Sequence, residues 1–348
     1  MFVCSVTIPF GAFADERDGG WIAAPSLIYT PETSVAMTVA GLRYFRLHED
    51  AQTASLIASG TYTLNNQARI RIVPEISLFG GKGWFEGFMS FAYWPDAFYG
   101  VGHDTPKSNE EDYTSRVYTL DGTLIWQVFS GWSLGFTSGV RYSNIVRTED
   151  EGLLESASIL GSEGAVVLGG GPVAVWDSRD NRFAPQMGSY FKVAGLAYSD
   201  QRNHTSFSKL ELDARQFFPV TQNSVFALQE YATFMGGSAP FQELSRIGDI
   251  REISLMRGYY SGRYLDRNLI VVQGEWRYPI ARRVSGTLFT GIGVIGDDLT
   301  KGSDRSVYES VGAGLRYQAS ARERINLRLD IAFGRDTSGI YLGIMEAF

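Results

Sequence analysis

From Leu269 the chain alternates with period two. Leu269, Val271, Gln273, Glu275 and Arg277 share one side of an extended chain, and Ile270, Val272, Gly274, Trp276 and Tyr278 the other. Successive strand side chains point to opposite faces, so one face becomes charged while the other stays apolar and ends in two aromatics. Three more segments repeat the pattern. Arg69, Arg71, Glu75 and Ser77 oppose Ile70, Ile72, Ile76 and Leu78. Lys209, Glu211, Asp213 and Arg215 oppose Leu210, Leu212 and Ala214. Arg324, Asn326, Arg328 and Asp330 oppose Ile325, Leu327, Leu329, Ile331 and Phe333. With turn signals between segments, the pattern predicts sixteen strands, over 21–30, 33–46, 53–64, 66–80, 84–94, 113–129, 132–145, 163–177, 187–199, 203–218, 222–235, 265–279, 284–296, 306–318, 323–334 and 339–348.

Alternation alone also suits a soluble sandwich with its polar face in water. Loop lengths separate the two. Connections after even strands are short: Gly81-Lys82-Gly83, Ser130-Gly131, Pro219-Val220-Thr221 and Ile280 to Arg283. Connections after odd strands include the three longest, 95–112, 146–162 and 236–264, and also 297–305. Short periplasmic turns and long outer loops are the plan of an outer-membrane barrel. Even strands then run toward the periplasm and end in Tyr44, Phe79, Phe129, Trp176, Phe217, Tyr278, Tyr317 and Phe348, the expected inner aromatic girdle. The expected fold is all-β: a single sixteen-stranded antiparallel transmembrane β-barrel in a bacterial outer membrane, surrounded by outer-membrane lipid and lipopolysaccharide.

Composition fits this picture. Among 348 residues there are 39 glycines and 14% aromatics, a mix suited to short strands, tight turns and girdles. No run of 18 apolar residues offers a membrane helix. A net charge of -7 with no basic stripe argues against nucleic acid as a partner. Residues 1–14 read as the remnant of a secretory signal, with Ala12-Phe13-Ala14 as the small-x-small cleavage site. Residues 15–20 follow as a short periplasmic segment, and 21–348 form the barrel. Cys4 is the one cysteine, so a processed chain has no disulfide and no thiolate site.

No catalytic constellation emerges. The histidines are His48, His103 and His204, the first at a periplasmic turn and the others on the outer side, and no metal or nucleophile motif surrounds them. A non-enzymatic protein without cofactor or metal is expected. The charges facing the lumen form the other constellation: Glu275, Asp330, Glu211 and Asp213, with Arg257 in the longest loop. If that loop folds into the lumen, Arg257 requires a carboxylate, because a desolvated guanidinium is costly unpaired. Gly258 would let the backbone turn tightly, and Tyr259 would pack on the wall. The long loops 95–112 and 146–162 are acidic, as solvated outer surfaces are.

Leu255-Met256-Arg257-Gly258-Tyr259 resembles the Arg-Gly-aromatic lid-loop motif of the BamA/TamA outer-membrane assembly superfamily, the bacterial surface antigen family. Pro240-Phe241-Gln242-Glu243 and Gly248 are similar to the start of that loop, and Phe98-Tyr99-Gly100-Val101-Gly102 to another outer-loop stretch. Trp176-Asp177-Ser178-Arg179-Asp180, then Pro185 and Gly188, resembles the family's Asp-x-Arg-Asp periplasmic turn. Val311-Gly312-Ala313-Gly314-Leu315-Arg316 and Arg328-Leu329-Asp330 are similar to its penultimate strands, and Tyr341 and Phe348 to its C-terminal assembly signal.

The resemblance implies a lid loop folded into the lumen and fixed there by Arg257. It implies a passive role in outer-membrane biogenesis: protein insertion, protein translocation or lipid movement. A periplasmic or outer-membrane protein partner goes with that role. The alternative is a solute-conducting channel, or a structural barrel bound to a partner. Family members that insert or secrete proteins usually carry POTRA domains; residues 15–20 leave no room for one, so a POTRA-less member is expected. The family often places an acid in a Phe-x-Asp-x-Gly context after the lid. Here Phe289-Thr290-Gly291-Ile292-Gly293 supplies none, which turns attention to Glu275 or Asp330 as partner of Arg257. The closing seam joins the first and last strands. Pro25 lacks the N–H of a ladder, and Gly339 and Gly343 pack weakly, as lateral opening toward lipid would require.

Overall fold

β-Branched and aromatic residues at alternate positions, punctuated by glycine, proline, asparagine and serine, favour extended chain and turns over helix. The computed structural model describes residues 13–15, 19–30, 34–47, 53–155, 158–248 and 254–348. His48 and residues 1–12 of the expected signal remnant lie outside the described residues.

The chain forms two compact units. The first comprises Met1–Asp96, Glu111–Ala174 and Leu196–Ser206. It holds β1 (Phe13–Asp15), β2 (Gly19–Thr30), β3 (Ser34–Phe45), β4 (Ala54–Thr63), β5 (Ala68–Leu78), nearly all of β6 (Gly83–Phe98), β7 (Glu111–Phe129), β8 (Trp132–Arg147) and most of β9 (Gly164–Asp177). From β2 to β9 these strands neighbour one another in sequence order, and β1 lies antiparallel to β2 with Phe13 opposite Trp21. Pro25 sits in the middle of β2, opposite Val39.

The second unit comprises Ala97–Glu110, Val175–Gly195 and Phe207–Phe348. It holds most of β10 (Gly188–Asp200) and β11 (Thr205–Thr221), then β12 (Ser224–Gly237), β13 (Ser245–Arg246), β14 (Leu265–Asp266), β15 (Asn268–Ala281), β16 (Val284–Gly296), β17 (Arg305–Ser320), β18 (Ile325–Gly334) and β19 (Thr337–Ile344). Their order in the sheet is β10-β11-β12-β15-β16-β17-β18-β19, while β13 and β14 form a two-stranded sheet of their own. Three of the tight turns carry an irregularity beside them, at Pro219/Thr221, Pro279/Ala281 and Gln318/Ser320.

The sixteen predicted strands correspond to β2–β12 and β15–β19, with ends within four residues of expectation. One end is a correction. The last strand stops at Ile344 and does not run to Phe348. Met345 has φ 75°, a left-handed conformation that breaks the extended chain.

The second unit is inside-out by the standard of a soluble protein. On β15 the apolar Ile270, Val272 and Trp276 are exposed, whereas Gln273, Glu275 and Arg277 are buried. On β17 and β18, Val311, Leu315, Ile331 and Phe333 are exposed while Ser310, Arg316 and Asp330 are buried. Only a solvent of hydrocarbon makes that arrangement favourable. The aromatic girdle needs correction on the same ground. Phe79, Phe129 and Tyr317 are exposed, but Tyr44 and Phe217 are buried, each on the buried side of its own strand, and Phe348 is buried beyond the end of β19.

Candidate functional site

In the connection between β12 and β15, Ile247 and residues 254–264 pack on the buried face of their own unit. Ile247, Leu255, Met256, Tyr259 and Tyr264 form one apolar cluster with Tyr231, Leu269, Val271, Ile295 and Tyr308. The motif sits at its centre. Met256 (φ 49°) and Gly258 (φ 108°) reverse the backbone, and the Tyr259 amide closes the turn on the Met256 carbonyl at 3.3 Å. A Cβ at position 258 would lie 2.7 Å from the Phe333 carbonyl carbon, so glycine is required twice, by conformation and by space. The Gly258 N–H donates to the Tyr341 hydroxyl at 2.7 Å. The Tyr259 hydroxyl donates to the Glu309 carbonyl at 2.8 Å and accepts from the Arg335 amide at 2.9 Å.

Arg257 is 2% exposed. Its Nη1 donates to Asp330 Oδ2 at 2.5 Å and its Nη2 to Glu275 Oε2 at 2.7 Å. The guanidinium carbon lies 3.5 Å from the centre of the Phe289 ring. Both carboxylates are fully buried. Glycines make the room: a Cβ at Gly312 would strike the Phe289 ring, and one at Gly314 would strike Asp330 Oδ1.

A second layer of arginines surrounds this pair. Arg316 donates from Nη1 to Asp330 Oδ1 at 2.5 Å and from Nε to Glu346 Oε2 at 2.7 Å, and its Nη2 lies 3.5 Å from Glu275 Oε1. Arg277 donates from Nε to Glu275 Oε1 at 2.8 Å and lies 3.7 Å from Glu346 Oε2. Its other nitrogens reach the Phe348 carbonyl at 3.1 Å and the Pro185 carbonyl at 3.5 Å. Arg328 stands 3.8 Å from Asp330. Four arginines thus share three carboxylates, Glu275, Asp330 and Glu346, with Arg257 and Arg316 the most deeply buried and Arg328 half-buried. Removing one partner from such a network leaves an uncompensated buried charge, at a cost of roughly 3–5 kcal/mol.

The structure therefore brings Glu275 and Asp330 to Arg257, and it does not bring Glu211 or Asp213. Asp213 is held by Arg215 at 2.5 Å and by the Gln229 amide at 2.8 Å, and Glu211 lies half-buried opposite Thr233. Sequence reasoning missed Arg277, Arg316 and Glu346 as members of the site, and Phe289 as its floor. For Arg277 a signal existed, since Glu275 and Arg277 share one face of a strand at spacing two.

The Asp-x-Arg-Asp turn is a separate structure. Asp177 accepts from the Arg179 amide at 3.1 Å and from its Nη2 at 2.7 Å, and Arg179 stacks over Tyr190. Asp180 accepts from the amides of Gln186 at 2.8 Å and Met187 at 3.2 Å and pairs with Arg324. Burial pushes the Asp180 carboxyl up, but the hydrogen bonds from Arg324, Gln186 and Met187 outweigh it and hold it below the usual aspartate range. Gly188 (φ 97°) brings its Cα against the Ser178 carbonyl, and Pro185 supplies the carbonyl that meets Arg277. Among the described residues no group of histidine, cysteine, aspartate and glutamate could hold a metal ion. His103 contacts Ser306 Oγ through Nδ1 at 2.9 Å.

The sequence model of the Omp85 superfamily domain matches residues 96–348. The chain belongs to the Omp85 superfamily. It is an all-β, sixteen-stranded antiparallel barrel protein of the bacterial outer membrane. Solved structures agree on the fold. BamA from Haemophilus ducreyi lacking POTRA domains 1–3 is similar with a TM-score of 0.55 at 12% identity, over 99% of this chain and 74% of that one. CdiB from Acinetobacter baumannii is similar with a TM-score of 0.59 at 10% identity, over 98% of this chain and 64% of that one. A bacterial polysaccharide outer membrane secretin gives 0.50 at 8% identity, over 95% and 98%. No curated protein matches the chain in sequence.

Proposed function

We propose that this Omp85 barrel acts in outer-membrane biogenesis, inserting or translocating proteins or moving lipids, with the 238–267 connection as a lid that Arg257 pins inside the barrel. One observation carries the reading: the motif arginine is buried and held by two carboxylates on separate strands, β15 and β18. A loop with no gating duty has no need to sink a charged side chain into a buried site, where pairing at best offsets the cost.

The role is passive: the protein binds, seals and releases, and performs no bond chemistry. Pro25 in β2 and Gly339 and Gly343 in β19 weaken the two strands that this reading makes the seam. Tyr341 and Phe348 serve as its assembly signal. Outer-membrane lipid and lipopolysaccharide form its surroundings, and a periplasmic or outer-membrane protein is its partner.

Single-channel recording tests the reading. The intact protein in a planar bilayer should be near silent, and Arg257→Ala should open a larger conductance. A large, steady conductance in the intact protein would instead favour a solute channel. Silence in both, with a protein co-purifying from membranes, would favour a structural barrel.

A further inference from the structure

The four residues after β19 do not continue the strand. Met345, at φ 75°, turns the chain, and its amide donates to the Asn326 carbonyl at 2.7 Å. Ala347 and Phe348 then join a buried apolar cluster with Phe217, Val225 and Ala227. Between them and the turn, the Glu346 side chain is 3% exposed. It accepts from Arg316 Nε at 2.7 Å and from Asn326 Nδ2 at 2.7 Å.

The same two arginines that meet this segment also meet the carboxylates that hold the lid. Arg277 spans from Glu275 to the Phe348 carbonyl, and Arg316 spans from Asp330 to Glu346. With Glu346 in place, four arginines face three carboxylates. Without it the side-chain carboxylates they meet are Glu275 and Asp330, and the excess of positive charge grows. Arg277, Arg316 and Arg328 are carried on strands fixed by their ladders. Arg257 is carried on a loop, so it is the guanidinium that a backbone movement can carry away from Glu275 and Asp330.

We propose that residues 345–348 are the latch of the lid: docking of Glu346 on Arg316 and Arg277 sets the charge balance that keeps Arg257 seated, and withdrawal of the segment releases it. Glu346, Arg277 and Arg316 are positioning residues that act through Glu275 and Asp330. The inference deepens the lid reading and rests on it. It adds that the release signal arrives from the end of the last strand, by way of the barrel interior.

The test uses the full chain in lipid vesicles, with Cys4→Ser and a reporter Leu255→Cys, since Leu255 is buried in the apolar cluster of the lid. Maleimide labelling of the reporter reads lid release, and heat-modifiable migration in gels reads folding. Glu346→Gln, which removes the charge and keeps the shape, should raise the labelling rate by at least about tenfold. Glu346→Asp should stay close to the parent. Glu346→Gln combined with Arg257→Ala should label no faster than Arg257→Ala alone, because coupled residues are not additive. If Arg257→Ala labels fast and Glu346→Gln stays at the parent rate, the latch is wrong and the lid reading stands. If Arg257→Ala also labels at the parent rate, the lid reading fails and takes the latch with it. Should Glu346→Gln not fold, Asn326→Leu removes one hydrogen bond from Glu346 and should give a smaller rise; the parent rate there overturns the latch.

Discussion

Phe289 stands beneath Arg257, its ring centre 3.5 Å from the guanidinium carbon, and Phe289 is the register partner of Glu275 across β15 and β16. An arginine can use its edge for carboxylates and its face for an aromatic ring at the same time; a lysine cannot. Arg257→Lys should therefore lose the second carboxylate and the stacking together. Phe289→Leu keeps both carboxylates and should lower stability by about 1–2 kcal/mol through the lost cation–π contact. Urea unfolding in vesicles, followed by tryptophan fluorescence, checks both; a midpoint unmoved by Phe289→Leu would show that the ring is only a spacer.

Gly258 faces a stricter condition. A methyl group there meets the Phe333 backbone, and the required φ of 108° disfavours any L side chain. Gly258→Ala should prevent the lid from seating and reproduce the conductance of Arg257→Ala, although every charged residue remains. Equal conductance in Gly258→Ala and the parent would mean that the loop can seat by another backbone path.

Tyr341 ties the lid to the last strand through a single hydroxyl, which accepts the Gly258 N–H. Tyr341→Phe should cost about 1 kcal/mol, the ordinary net value of such a bond. The loss should appear locally, as faster hydrogen exchange at the Gly258 amide with little change elsewhere in the lid.

Asp180 sets a pH limit on the periplasmic turn. Its carboxyl is held below the usual aspartate range. A depressed carboxyl stabilises the folded turn at every pH above its unfolded value, and that stabilisation is lost as pH falls through the lower folded value. Exchange protection of the Gln186 and Met187 amides should hold from neutral pH to the ordinary carboxylate range and collapse only in stronger acid. Asp180→Asn should show reduced protection with no acid transition. An acid transition surviving in Asp180→Asn would assign it to another group.

The strands were legible because two periodic signals agreed: the charged positions and the apolar positions of β11, β15 and β18 have opposite parity. The same parity sorts the aromatic ends. Phe217 shares its parity with Asp213 and Arg215, so it belongs with the buried charges, as the structure has it. Glu275 and Asp330 could be named as inward acids from parity alone. Which of the inward acids reaches Arg257 could not, since that depends on register, and the ladders of β15 and β17 shift by a residue near Ala281 and Ser320. The role of Glu346 was hidden for a different reason. Methionine is not a residue that announces a left-handed turn, so nothing marked Met345 as the point where the chain leaves the sheet.

The seat beneath the lid is built from missing side chains. A Cβ at Gly291 would approach Met256 Sδ at 3.1 Å, and one at Gly293 would approach Ile247 at 3.0 Å. Loop and wall are thus cut to each other's size. This lid would not seat in a wall that carried bulkier residues at 291 and 293 unless Met256 and Ile247 shrank with the change, so the heritable unit is the pair of surfaces and neither can grow in bulk by itself.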